Sequence, residues 1–427
     1  MSKPKLLEIS NLKLHFPTDE GDVRALESVS FSIQEGEIFG LVGESASGKS
    51  VTSLTTIGLS TGVIDSGSIK FEGEELLEAS EERMREFRGN DISMIFQEPM
   101  TALNPLYTVE RQIHEVMILH EKLPPTKSTP VERLYRTLRS GVSRITNRIS
   151  NFFRGKFNFS GNDVLILFSI LSLFWLISNH VIFSIFFISF LIISWILSSL
   201  NTLDPNHVDV IVDRLRDVRI PNPTAVAKMY PHELSGGMRQ RVMIAMMMAC
   251  EPRLLIADEP TTALDVTIQS QIVELMKDLR NRKGTSILLI THDIGLVAEM
   301  CDRVGVMYAG SIVEQGTIEQ ILNSPRMPYT IGLMHSIPSI GEEKDSLPII
   351  PGQVPDPLNP PSGCKFHPRC PFADSKCISD IPESIDIGNE HYVGCHHLDK
   401  TENFDEVQLA FDNLVQHLHS SGVDTLG

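Results

Sequence analysis

The stretch Gly43-Glu44-Ser45-Ala46-Ser47-Gly48-Lys49-Ser50 constrains this 427-residue chain more than any other, because it follows the apolar run IFGLV without a break. It fits G-x-x-x-x-G-K-[ST] between a strand and a helix, the context in which backbone N–H groups wrap phosphates at a helix N-terminus. Lys49 is placed to reach β- and γ-phosphates, Ser50 to hold Mg²⁺, and Val51 beside them is counted with the nucleotide-binding residues. A glycine turn with a chance lysine would not come with both flanking elements in order. The expected fold is therefore α/β, a P-loop NTPase.

Two further elements belong with this loop. Leu254-Leu255-Ile256-Ala257-Asp258-Glu259 reads as a buried strand carrying two carboxylates to its C-terminal end, where open α/β sheets bind ligands. Asp258 suits Mg²⁺, and Glu259 suits a general base that polarises water. A strand ending in two acids is, by itself, most often only solvated. The third element is Leu234-Ser235-Gly236-Gly237, opening a helix with Ser235 as N-cap and two glycines that permit close approach to an anion.

LSGG resembles the signature of ABC-type ATPases, and the family's other motifs stand in the family's order. Gln97 in MIFQEP matches the Q-loop, Asp265 in TTALD the D-loop, and His292 in LLITHD the H-loop. Phe16 lies where such proteins stack an aromatic on adenine, although a lone Phe in a strand is more often core. The resemblance covers roughly residues 5–320 apart from an insert. It implies a RecA-like core with an antiparallel β subdomain and a helical subdomain. It also implies two ATP molecules sandwiched between two such domains, each between one subunit's P-loop and the other's LSGG. Ser235, Gly236 and Gly237 then meet a partner's nucleotide, His292 contacts the γ-phosphate, and Gln97 senses phosphate beside Mg²⁺. With a single motif set the chain needs a second ATPase.

Composition narrows the task. With 37 Lys plus Arg against 54 Asp plus Glu, the formal charge is −17, which argues against a nucleic-acid binder. The opening MSKPKLLEIS lacks the apolar core of a signal peptide, so a cytosolic start is expected. Eleven of the 25 prolines fall between Pro325 and Pro371, marking an extended linker or an irregular appendage.

Cys364, Cys370, Cys377 and Cys395 follow in GCKFHPRCPFADSKC…VGCHH, spaced C-x₅-C-x₆-C-x₁₇-C, whereas Cys250 and Cys301 read as buried small residues. Four thiols in so short a span suggest a tetrathiolate site, though the spacing is too loose for paired zinc knuckles. Lys365, Arg369 and Lys376 lie beside them to offset negative charge, and His367, His391, His396 and His397 are alternative ligands. This region, with SLPIIPGQVPDPLNPPS before it, resembles the C-terminal region of dipeptide/oligopeptide-transporter ATPases. The resemblance implies a [4Fe–4S] cluster on the four Cys, with zinc or free thiols as the alternatives.

Between the Q-loop and LSGG stand about sixty residues outside the family pattern. Between Val131 and Lys156 seven basic residues meet one acid, and Leu134, Leu138, Val142, Ile145, Ile149 and Phe152 recur at helical spacing, the pattern of a membrane-surface helix. Residues 164–200 carry no formal charge over 37 positions, more than one span needs. A single crossing would put LSGG and the P-loop on opposite sides, so the expectation is a helical hairpin turning at Ser178-Asn179-His180. A buried hairpin docked on protein is the alternative.

The expected organisation is an ATPase core over 1–130 and 206–322, an insert over 131–205, the Pro/Cys-rich region over 323–400, and a tail over 401–427. The resemblance implies a subunit that hydrolyses ATP at the cytoplasmic face of the plasma membrane to drive peptide uptake. Its implied partners are two permease subunits, a second ABC ATPase and an extracytoplasmic solute-binding protein. Nickel and other small solutes use similar ATPases. A soluble ABC protein acting on ribosomes or DNA, or an iron–sulfur sensor, is the rival from another class.

Overall fold

The computed structural model describes residues 4–97, 102–124, 189, 203–262, 265–335 and 350–420. The chain divides into two compact units, Met1–Lys122 with Ile211–Gly427, and Leu123–Val210. The basic helix and apolar hairpin expected over 131–200 lie, save Ser189, outside the described residues. Among the described residues no helix is long and apolar enough to cross a membrane.

The first unit is built on strands β1 (Lys5–Thr18), β2 (Gly21–Gln34), β3 (Ile38–Val42), β4 (Val63–Phe71), β5 (Glu74–Glu75), β6 (Ile92–Ile95), β7 (Leu254–Asp258), β8 (Ser286–Thr291), β9 (Arg303–Tyr308) and β10 (Ser311–Thr317). Their spatial order is β5-β4-β1-β2-β10-β9-β3-β8-β7-β6. From β9 through β3, β8 and β7 to β6 every neighbouring pair is parallel. The sequences IFGLV, LLIAD and SILLIT are buried at every position, as parallel strands covered on both faces must be. Each such Leu or Ile contributes about 1.5–3 kcal/mol by leaving water.

The flanking layer β5-β4-β1-β2 is antiparallel. On β1 the phase of burial shifts at the irregularity between Ile9 and Leu12, so that Leu7 and Ile9, then Leu12 and Leu14, enter the core with Phe31, Ile33 and Phe71. The charged run after Ser80 resolves as the helix Glu81–Phe87. The Ser80 hydroxyl accepts from the Arg83 N–H at 3.2 Å, and Met84 and Phe87 are the buried face.

The Pro/Cys-rich region returns to this sheet rather than trailing from it. Strand β11 (Ile385–Asp386) pairs with β12 (Tyr392–Val393), and β12 pairs antiparallel with β10 at Glu314↔Val393. Glu314 is 1% exposed and its carboxylate gathers three partners: His391 Nε2 at 2.8 Å and the backbone N–H groups of Arg326 at 2.7 Å and Met327 at 3.0 Å. Residues 401–427, expected as a tail, do not simply trail away. Instead a helix runs Phe404–Ser420, buries Val407 and Phe411, and stacks Phe404 on His335 with ring centroids 4.0 Å apart.

Glu314→Ala would leave three donors buried without an acceptor. Loss of one member of such a pair costs about 3–5 kcal/mol, read as a lower midpoint in chemical denaturation of the full chain. Denaturation unchanged within about 1 kcal/mol would show that β10 does not fasten this region.

Candidate nucleotide site

Three strand ends meet at one edge of the sheet. Val42 of β3 is paired with Thr291 of β8, and Asp258 of β7 with Ile290, so the residues that follow each strand emerge together. After β3, Gly43 takes φ 154°, and a Cβ there would lie 2.1 Å from the Met307 carbonyl oxygen, a position only glycine can hold. Gly48 caps the helix Lys49–Thr56 at φ 102°. The loop between them is tied to its surroundings, with Gly310 N–H donating to Ser47 O at 3.0 Å and Glu44 N–H donating to the Tyr329 hydroxyl at 3.0 Å.

Lys49 donates to Gly43 O and Glu44 O, both at 2.8 Å, and to Ser47 Oγ at 3.2 Å. Burial lowers its pKa, against the pull of the Glu259, Asp258 and Glu44 carboxylates. Ser45 and Ala46 are exposed on the loop, Ala46 with φ 63°. Ser50 Oγ donates to Asp258 Oδ1 at 3.2 Å, bringing together a hydroxyl and a carboxylate of the kind that share Mg²⁺. Burial raises the Asp258 pKa, the Ser50 bond opposes it, and the charge on Glu259 adds to the rise.

Glu259 is the centre of the constellation. It leaves β7 at φ 47°, rare for a residue with a side chain, and its N–H is held by Ile290 O at 2.8 Å. Oε2 accepts from Gln97 Nε2 and from Thr262 Oγ1, each at 2.9 Å, while Oε1 lies 2.9 Å from His292 Nδ1. Burial pushes the carboxyl up, but the bonds from His292, Thr262 and Gln97 together outweigh it, and Glu259 rests below the usual range. An ionised, hydrogen-bonded carboxylate beside a phosphate-binding loop can orient and polarise water. The structure thus brings Gln97, Glu259 and His292 together, and Ser50 with Asp258. Thr262 escaped the sequence reading, since nothing in TTALD marks a threonine as a partner of the acid before it.

Phe16 sits half-buried on β1, paired across the hairpin with Val23. Ser235 is the N-cap of Gly236–Met248, its hydroxyl accepting from Met238 N–H at 3.3 Å. Ser235 and Gly236 are exposed, and a Cβ on Gly236 would meet nothing within 4 Å. Asp265 caps Val266–Lys283 through Ile268 N–H at 2.9 Å. Buried Gln240, in the signature helix, donates to Pro260 O, tying that helix to the loop after Glu259.

All six cysteines are free thiols, and Cys250 and Cys301 are buried at helix ends as expected. The other four lie close enough for Cys364, Cys377 and Cys395 each to raise the pKa of Cys370, which burial above all pushes up to about 12. Backbone N–H groups address the sulfurs, that of His397 reaching Cys395 Sγ at 3.4 Å. Among the described residues the donor group that draws within 4.8 Å is Asp374, Cys377 and His397, a tighter set than the four sulfurs form. The remaining histidines are engaged elsewhere, His367 with Cys364 O, His391 with Glu314 and His396 with Asp380 O. Lys365 favours the Cys364 thiolate, but Arg369 does not serve the sulfurs: it pairs with Glu44.

The model of the ABC transporter family matches residues 26–262, and that of the oligopeptide/dipeptide transporter C-terminal region matches 313–377. The chain is 41% identical over 393 residues to the oligopeptide transport ATP-binding protein AppD of Bacillus subtilis (strain 168), covering 91% of this chain and 96% of that one. It is 36% identical over 394 residues to the dipeptide transport ATP-binding protein DppD of Escherichia coli (strain K12), covering 92% and 96%. To the oligopeptide transport ATP-binding protein OppD of Bacillus subtilis it is 40% identical over 395 residues, covering 91% and 88%. A phosphate loop, a strand-end carboxylate held by three partners and a cysteine-bearing C-terminal region on one sheet accord with these matches, and the chain belongs to the ABC transporter family of ATP-binding proteins.

Proposed function

We propose that this chain is the ATP-hydrolysing subunit that powers uptake of di- or oligopeptides across the plasma membrane, acting at its cytoplasmic face. The observation that carries the reading is the Glu259 carboxylate, bonded at once to Gln97, Thr262 and His292 beside the loop that contains Lys49. The match of 313–377 to the oligopeptide/dipeptide transporter C-terminal region supports peptides as the cargo. In this reading Lys49, Val51 and the backbone of Gly43–Ser50 bind the triphosphate, with Phe16 against adenine. Ser50, Asp258 and Gln97 hold Mg²⁺, Glu259 polarises water, and His292 contacts the γ-phosphate. Ser235 and Gly236, which are exposed, and Gly237, which packs against Ile268, meet the nucleotide of a second ATPase together with Asp265. Two permease subunits and an extracytoplasmic solute-binding protein complete the importer.

The same reading gives the four cysteines a [4Fe–4S] cluster. What supports it is the clustering of the four cysteines, three of which act on the charge of Cys370, and the His397 N–H 3.4 Å from Cys395 Sγ. Such a cluster would cross-link Cys364, Cys370, Cys377 and Cys395. Attachment to the membrane through the uncharged run 164–200, which save Ser189 lies outside the described residues, belongs to the same reading.

Three measurements test these assignments. Glu259→Gln should lower ATP turnover about a hundredfold or more while ATP still binds; turnover within threefold of wild type would remove Glu259 as the base. Tagged chain drawn from detergent-solubilised membranes should bring two permeases and a second ATPase, identified by mass spectrometry. Ribosomal or DNA-associated partners without a permease would refute the transporter role. Chain purified without oxygen should contain iron and acid-labile sulfide in equal amounts, with both lost in Cys364→Ser; zinc, or no metal, would refute the cluster.

A further inference from the structure

We propose that Arg369, in the C-terminal region, is a positioning residue for the nucleotide loop: it binds and neutralises the carboxylate of Glu44, the second residue of the P-loop, and so keeps that loop receptive to a nucleoside triphosphate. The two residues are 325 positions apart in sequence. Arg369 is 5% exposed. Its Nη1 donates to Glu44 Oε2 at 2.7 Å and its Nη2 to Oε1 at 3.1 Å, the two-pronged geometry that a guanidinium offers a carboxylate.

The rest of the guanidinium is fully employed. Nε donates to Pro351 O at 2.9 Å, Nη2 also to Ile350 O at 3.3 Å, and Nη1 lies 3.4 Å from the Tyr308 hydroxyl. Its carbon stands 5.8 Å from the ring centre of Tyr308 and 5.9 Å from that of Phe366. Tyr308, Tyr329 and Phe366 form one aromatic cluster, with centroids 4.6, 5.3 and 5.5 Å apart. Tyr329 holds the Glu44 N–H, and Lys49 bonds the Glu44 carbonyl. Every polar group of Glu44 is therefore fixed from outside the turn or from its helix, and the charged one is fixed by Arg369.

The pairing has a consequence for binding. A carboxylate at the second position of a loop that accepts phosphates repels them unless a cation offsets it. Arg369 is that cation. Without it, the loop keeps Lys49 and its backbone donors but gains a free negative charge beside the triphosphate. The hydrolytic groups Glu259, His292 and Gln97 make none of their bonds through Glu44 or Arg369. The loss should therefore fall on affinity and leave the chemical step alone.

The test compares ATP binding and turnover in the full chain, wild type against R369Q, E44Q and the double variant. R369Q should raise KM for ATP on the order of tenfold with kcat within about twofold, and E44Q in the R369Q background should restore KM to within about threefold of wild type. Rescue by deleting a carboxylate is not an effect that loss of packing would produce. An unchanged KM in R369Q, or a raised KM that persists in the double variant, overturns the proposal. If R369Q fails to fold, E44Q alone decides. Its amide oxygen still accepts from Arg369, so it should bind ATP at least as tightly as wild type, and binding weakened more than threefold overturns the assignment.

Discussion

Three strands covered on both faces end along one edge of the sheet, and the P-loop, Glu259 and His292 hang from those ends, with Gln97 following the neighbouring β6. The pairings of Val42 with Thr291 and of Asp258 with Ile290 set the level at which the P-loop, Glu259 and His292 emerge. A slip of one residue in either pairing would turn every side chain of the strand to its other face. The Glu259 backbone shows how tightly the edge is determined. A non-glycine residue at φ 47° is held there by its bond to Ile290 O, and from that conformation the side chain reaches three partners on three segments.

Adjacent carboxylates in this site are driven in opposite directions. Burial raises the Asp258 pKa, while the bonds from His292, Thr262 and Gln97 leave Glu259 below the usual range despite its own burial. Environments that separate two neighbouring acids in this way divide labour between them. In the proposed function Asp258, poorly solvated and next to the Ser50 hydroxyl, is the acid that would hold the divalent cation, and Glu259, set in a network of donors, is the one that would address water.

Much of this was legible in the residues. IFGLV before Gly43 and LLIA before Asp258 announce strands buried on both faces, because no polar residue interrupts them. The loop glycines announce a turn that side chains cannot make. Local signals failed where long-range pairing decides. Arg369 stands among cysteines in the sequence, so it reads as a counter-charge for thiolates; only the folded chain brings Glu44 to it. Thr262 and Tyr329 are equally silent, being common residues whose roles come from contacts across the sheet edge. The helix Phe404–Ser420 did leave a trace in Phe404, Val407 and Phe411, spaced three and four apart, a helical period that was read as a tail.

The charge of the chain gives these long-range contacts their weight. With 54 acidic residues against 37 basic ones, a polyanionic nucleotide must be accepted by a protein that is itself an anion, and Lys49 is the sole cation within Gly43–Ser50. The compensation for Glu44 is drawn from 325 positions further along the chain, beside the aromatic cluster of Tyr308, Tyr329 and Phe366. Linkage then runs both ways. If docking of the C-terminal region improves the loop for ATP, ATP must stabilise that docking by the same factor. The buried bond of Glu314 to His391 ties the C-terminal region to β10 away from the P-loop, whereas the pair of Arg369 with Glu44 ties it to the P-loop itself. Stability and affinity are thereby assigned to different contacts of one small region, and a change that loosens the first need not abolish the second.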